Sequence, residues 1–282
     1  MLRKAFAIAV LGAALIAGPA LASSASHLEP KEVHFANEGP FGKFEPAQLQ
    51  RGYKVYREVC SACHSMNLMY FRNLGQAGGP FYSDKYKNPN ENPYVKAIAA
   101  EYQINDIDSE TGDTVQRPGT PADKFPAPFP NEPAARASNG GALPPDLSVI
   151  VKAREEGSQY VYSILTGFKD PPPGLKVDPG KHYNPYFPGD LTAFWSGDHH
   201  KVPPGGVIGM APPLAPGKVT FDDGSPSTVE QQAKDVVAFL TWAAEPKAQE
   251  RKAFGFAAMI YLLVFAGLVY FSYRRIWRNI AH

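Results

Sequence analysis

Two thiols three residues apart, with an imidazole directly after them, make Cys60-Ser61-Ala62-Cys63-His64 the densest chemistry in the chain. On one helical turn, such thiols can form thioethers with the two vinyl groups of a haem. The histidine is then carried beneath the iron as an axial ligand. Other uses of a Cys-x-x-Cys pair ask for different surroundings. A thioredoxin-like redox pair wants a βαβ context, which the pattern does not offer. A zinc site needs two further ligands at metal-like spacing, and the chain holds only these 2 cysteines. A structural disulfide requires neither the histidine nor so tight a spacing. Covalent attachment of one haem c is the chemistry expected of Cys60, Cys63 and His64.

A haem iron has a second axial face, and a methionine or histidine there makes an electron carrier. There are 5 methionines. Met1 belongs to a leader, Met259 to an apolar tail, and Met66 and Met69 follow His64 so closely that the chain is still on the same side of the iron. Met210 remains, in Val207-Ile208-Gly209-Met210-Ala211-Pro212-Pro213, an apolar loop that glycine and paired prolines can hold rigid. His182, His199 and His200 are the rival ligands. The last two lie in the polar stretch Ser196-Gly197-Asp198-His199-His200-Lys201, which reads as exposed.

Helices must position these groups. Leu49, Tyr53, Tyr56 and Cys60 recur at steps of four, three and four, one face of a helix that starts at Glu45-Pro46 and leads into the cysteines. A second helix is predicted over Thr228–Ala244, capped by Ser227 with Glu230 and stopped at Glu245-Pro246. Its buried stripe is Val229, Ala233, Val236, Leu240 and Ala244. These two helices are expected to pack together. Elsewhere 28 prolines and 25 glycines in 282 residues call for long loops, eight of the prolines falling between Arg117 and Pro145. The 44% of hydrophobic residues is too high for a disordered chain.

Both ends read as targeting segments. Residues 1–22 have Arg3 and Lys4, an apolar run to Gly18 and Ala20-Leu21-Ala22 as a cleavage site, a secretory signal. Ala253–Tyr273 is 21 residues without a charge, long enough at ~1.5 Å per residue to cross a ~30 Å hydrocarbon core. Arg274, Arg275 and Arg278 follow it and place the C-terminus in the cytoplasm. The expected division is signal 1–22, exported domain 23–250, membrane helix 251–273 and cytoplasmic tail 274–282, a single-pass protein of the inner membrane with its domain in the periplasm. The whole chain carries a net +1. Without Arg3, Lys4 and the five basic residues from Arg251 onward, 21 basic residues face 27 acidic ones, so the exported domain is at −6.

With Cys60–His64, Asn139-Gly140-Gly141-Ala142-Leu143-Pro144-Pro145-Asp146-Leu147-Ser148, Asn184-Pro185-Tyr186-Phe187-Pro188-Gly189, Ile208–Pro213 and Trp242-Ala243-Ala244-Glu245-Pro246 in order, the chain closely resembles the cytochrome c1 family, in its alphaproteobacterial form. These are the haem subunits of ubiquinol–cytochrome c reductase (bc1) complexes. The resemblance implies a mostly α, loop-rich class I cytochrome c domain with a single C-terminal transmembrane helix. It implies haem on Cys60 and Cys63, with His64 and Met210 on the iron. It adds Asn139, Ala142 and Pro145 as pocket residues, Arg154 as the partner of a haem propionate, and Tyr160 and Phe187 as pocket aromatics. Two departures stand out: a second cysteine pair found in some bacterial relatives is missing, and Asp190–Gly206 is inserted ahead of the methionine loop.

The function so implied is one-electron transfer, from a Rieske iron–sulfur protein to a basic cytochrome c, in a membrane complex with cytochrome b. The subunit itself is an electron carrier within an oxidoreductase complex. The acidic run Glu101, Asp106, Asp108, Glu110 and Asp113 is the candidate docking field. Another membrane-anchored c-type cytochrome, such as an oxidase subunit, is the nearest rival function, and a thiol–disulfide oxidoreductase the rival from a different class. No repeat, phosphate loop, hydrolytic triad or feature for nucleic acid is present in the sequence.

Overall fold

The computed structural model describes residues 27–279, so the signal segment 1–22 lies outside the described residues. The fold is mostly helical and rich in loops. Helix α1, Pro46–Val55, opens with proline at its first position, where a missing N–H costs nothing, after an extended Glu45. It runs into a single π-helical turn, Tyr56–Cys60, that ends on the first cysteine. Helices α2, Pro93–Ala100, α3, Glu132–Ser138, and α4, Gly157–Thr166, are spaced through the loops. Helix α5, Val229–Ala244, closes the domain, and α6, Ala248–Trp277, leaves it.

Helices α1 and α5 cross in contact, as their apolar stripes require. Leu49, Tyr53 and Tyr56 from the first and Ala233, Val236, Phe239 and Trp242 from the second are buried in one core. Aromatic rings dominate it: Tyr53 and Phe239 stand 5.7 Å apart between centroids, and Phe71 and Phe125 4.8 Å. Val229 and Ala244, expected in the buried stripe, are only partly buried at its two ends. The cap is displaced by one residue from its expected place. Thr228, not Ser227, accepts the Gln231 N–H at 3.1 Å. Ser227 instead turns its hydroxyl to the Val219 carbonyl and is itself held by Gln232.

The crossing is close because Gly52 has no side chain. A Cβ there would stand 2.1 Å from the Asp235 carbonyl oxygen and 2.7 Å from the Phe239 Cβ. Gly52→Ala should therefore force the helices apart, with a loss of about 1–3 kcal/mol as in other overpacked cores. A urea midpoint unchanged in the variant would contradict this reading of the crossing.

Two small antiparallel pairs complete the frame. Strands β1, Gln103–Ile107, and β2, Thr114–Pro118, form a surface hairpin that carries the acidic run. That run is not bare charge. Asp106 pairs with Arg117, which also holds Asp123, and Glu101 pairs with Arg57 at 2.8 Å. Strands β3, His182–Asn184, and β4, Gly206–Ile208, pair with His182 opposite Ile208. The inserted residues 190–206 lie between them. They supply Leu191, Trp195 and Val202 to a second, small apolar cluster with Leu175, Tyr183 and Val207. The Tyr183 hydroxyl donates to the Pro204 carbonyl at 2.7 Å. The insertion thus braces the pair of strands that delivers the Met210 loop.

Helix α6 contains the whole uncharged run and extends beyond it at both ends. Its mean hydropathy reaches 2.2, and none of that stretch is buried against the rest of the protein. It is long and apolar enough to cross a membrane as a single anchor.

Candidate functional site: the Cys60–His64 turn and the loops facing it

The π-helical turn falls just where the motif begins, and such turns recur at functional sites. The Cys63 and His64 N–H groups both donate to the Cys60 carbonyl, at 3.1 and 2.9 Å, so the five motif residues form one compact turn on the end of α1. Both thiols are free and half-buried. Burial pushes the Cys60 thiol up to about 12, with the nearby Lys218 working the other way.

His64 is oriented by a distant segment. Its Nδ1 lies 2.8 Å from the Pro145 carbonyl oxygen. A carbonyl can only accept, so Nδ1 carries the proton and the Nε2 lone pair is left for a metal. Burial lowers the imidazole pKa below its ordinary value, against the Pro145 bond and the Asp146 charge, which raise it. Both effects serve a ligand: the ring is neutral and its tautomer is set.

The segment after Pro145 is stitched to the residues after His64. The Asp146 carboxylate accepts from the Ser65 hydroxyl at 2.8 Å and the Asn67 N–H at 2.7 Å, and Ser148 accepts from the Leu68 N–H at 3.1 Å. The Leu147 N–H donates to the Ser65 carbonyl. Burial works to raise the Asp146 carboxyl, but these hydrogen bonds outweigh it and hold the group below the usual carboxylate value. Its contribution to stability is therefore complete above the ordinary carboxylate pKa of about 3.9 and is lost as pH falls through the depressed folded value. Asp146→Asn offers one oxygen where two are used. It should cost about 1–3 kcal/mol at neutral pH and flatten the acid limb of the stability profile, as urea titrations at a series of pH values would read. An acid limb identical to that of the unsubstituted chain would count against this role.

The same segment also meets the methionine loop. A Cβ on Gly209 would stand 2.9 Å from the Ala142 Cβ, so the residue before Met210 packs directly on the Asn139–Pro145 stretch that also holds His64. Phe187 lies against Gly206 on β4, with its ring 3.1 Å from where a Cβ would be. Met210 itself is half-buried. Met66 and Met69, by contrast, are buried in the helical core.

The other residues singled out from the sequence are placed as follows. Asn139 donates its amide to the Ala135 carbonyl at 2.7 Å and closes the end of α3. Arg154 is exposed, and its guanidinium bonds the neighbouring Ala153 carbonyl. Tyr160, on α4, is half-buried. Burial raises its pKa, and the Arg154 charge works against that shift. Of the rival histidines, His199 and His200 are exposed on a short 3-10 turn. His182 lies beside the methionine loop, with its ring edge-on to Phe168 at 6.5 Å. Asp146, Ser65 and Ser148 are given no role by the sequence reading. Asp146-x-Ser148, with the Ser148 N–H on the Asp146 carboxylate at 2.8 Å, is the local signature that marks the first of them.

The donor set fits a haem. Two free thiols sit on one turn, an imidazole offers Nε2 alone, and a thioether loop rests on the segment that orients that imidazole. Among the described residues no cluster of three or more His, Cys, Asp or Glu offers a competing metal site.

Fold and site together define a helical haem-binding domain with one long apolar C-terminal helix and its motif at the end of the first of two crossed helices. Residues 35–280 match the Cytochrome C1 family. The chain is 42% identical over 268 residues to "Cytochrome c1-2, heme protein, mitochondrial" of Solanum tuberosum, covering 95% of this chain and 91% of that one. It is 35% identical over 292 residues to "Cytochrome c1" of Rhodospirillum rubrum, with 98% and 97% covered. It is 45% identical over 260 residues to "Cytochrome b/c1" of Bradyrhizobium diazoefficiens, where it accounts for 86% of this chain but spans only 34%, about a third, of that longer relative. The chain belongs to the cytochrome c1 family.

Proposed function

We propose that this chain is the electron-transferring haem subunit of a ubiquinol–cytochrome c reductase (bc1) complex. The observation that supports the proposal is the His64–Pro145 bond, which leaves a neutral imidazole nitrogen beside two free thiols, on a segment that the residue before Met210 also packs against. When bound, haem c supplies a one-electron ferric–ferrous couple. The chain's own residues do the rest. Cys60 and Cys63 would hold the group covalently, His64 Nε2 and Met210 Sδ would ligate it, and Asn139, Ala142, Pro145 and Phe187 would wall it from water. Arg154, at the surface with its guanidinium on the Ala153 carbonyl, would have to exchange that bond for one to a propionate.

The domain would face the periplasm and α6 would cross the inner membrane, with Arg274, Arg275 and Arg278 on the cytoplasmic side. Cytochrome b and a Rieske iron–sulfur protein are the partners in the membrane, and a basic cytochrome c is the acceptor. With Asp106 and Glu101 already paired, attraction to that acceptor rests on the domain's net −6 and the hairpin tip around Glu110 and Asp113 more than on the whole acidic run.

The thiol–disulfide alternative is disfavoured by the same geometry. A thiol pushed to about 12 is almost wholly protonated at neutral pH and is a poor attacking group. Purification of the native membrane complex, followed by a single turnover with quinol, tests the reading. Cytochrome b and a Rieske protein should co-purify, and the haem should be reduced only when the Rieske protein is present. Haem reduction that ignores the Rieske protein, or purification with oxidase subunits instead, would overturn it.

A further inference from the structure

The loop 36–43 is built to hold an apolar side chain beside the anchor helix. Its base is fixed by Phe35, which is buried, and by two turn bonds, Glu38 N–H to the Phe35 carbonyl and Lys43 N–H to the Ala36 carbonyl, both 3.0 Å. The bend is tight enough to require glycine at position 42, where a Cβ would stand 1.9 Å from the Glu38 carbonyl oxygen. At its tip Phe41 is 75% exposed, although it is a phenylalanine on a hydrogen-bonded turn.

Phe41 meets the first turns of α6. Its ring is edge-on to Phe256, with 5.9 Å between centroids. The same loop takes the Lys252 ammonium, which donates to the Asn37 carbonyl at 2.6 Å and to the Gly42 carbonyl at 3.3 Å. Lys252 is the last charge before the uncharged run, and Phe256 is four residues further along it. At ~1.5 Å per residue that is about 6 Å deeper along the helix axis, within the ~5–10 Å by which interfacial apolar groups sink below a membrane surface.

We infer that Phe41 is a second membrane contact: the 36–43 loop dips its phenylalanine into the headgroup–acyl boundary beside α6, and the occupant of this exposed face is lipid. The inference rests on reading α6 as the membrane span, and the argument for lipid is continuity of Phe41 with that span. Two contacts resist rotation where one helix would act as a swivel. The Lys252 bonds lock the loop to the helix, and the inserted ring sets the tilt of the domain over the bilayer.

Spin-label accessibility tests this on full-length holoprotein in nanodiscs of phosphatidylcholine and phosphatidylglycerol. Labels go on Phe41→Cys, on Leu263→Cys in the middle of α6, and on Tyr94→Cys, an exposed site on α2. The unsubstituted chain, whose two cysteines are consumed as thioethers, gives the labelling background. The label at position 41 should favour collisions with oxygen over a water-soluble nickel complex, as the one at 263 does, while the one at 94 should show the reverse. A water-like label at 41 beside a lipid-like one at 263 would overturn the inference and leave the span intact. A label at 41 shielded from both relaxants would also overturn it, since protein rather than lipid would then cover the face. A water-like label at 263 would remove the span, and the inference with it.

Discussion

Met210→Leu is expected to lower the haem midpoint potential by on the order of 100–200 mV. A thioether is a soft, weak donor that favours ferrous over ferric iron, and leucine cannot ligate at all. Losing a preference of a few kcal/mol corresponds to that shift, since ~59 mV is about 1.4 kcal/mol for a one-electron couple. Haem should still be attached, because Cys60, Cys63 and His64 with its Pro145 bond are untouched. The weak long-wavelength band of iron–thioether ligation should vanish, and the assembled complex should reduce cytochrome c slowly. His182 gives the competing outcome, for it is the rival histidine placed beside the methionine loop. If it were the ligand, Met210→Leu would keep its potential and His182→Leu would lose it.

The second large effect is expected far from the iron. Asp235 is fully buried on α5 and accepts from three side chains: Arg51 at 2.7 Å, Gln48 at 3.1 Å and Gln231 at 2.9 Å. Two of these donors are on α1, so the carboxylate fastens the helix that ends in the cysteines. Asp235→Ala leaves the donors facing a void. Breaking a buried pair in this way costs about 3–5 kcal/mol. The lower half of that range applies here, because Arg51 keeps its bond to Asp223 at 2.6 Å. Urea unfolding of the detergent-solubilised holoprotein should show the loss as a lower midpoint at unchanged slope. A loss under about 1 kcal/mol, the worth of an exposed pair, would contradict the account.

How much of this was legible beforehand follows from how local each feature is. The Cys60–His64 turn was readable because its chemistry needs five consecutive residues. Helices α1 and α5 were readable because their stripes repeat within each element. The cap was misplaced by one residue because Ser227 and Thr228 can both cap, and the choice was made by the Val219 carbonyl, which folding brings to Ser227. The Gly52 crossing, the Pro145 carbonyl on His64 and the apolar cluster built by residues 190–206 all join segments far apart in sequence, and no periodicity carries them. Arg154, Tyr160 and Phe187 came from family resemblance alone. The structure sets Phe187 against β4 and leaves Arg154 at the surface, where a propionate would have to draw it in.

The proposed covalent bond between chain and haem is the feature on which the reading of the site depends, and it can be tested without knowing the fold. Full-length protein from its native membrane would be denatured and extracted with acid acetone, and the mass of the chain measured. One haem should remain on each polypeptide, carried by the fragment that contains Cys60–His64. Haem that passes wholly into the acetone, leaving a chain at its bare mass with two free thiols, would contradict the account.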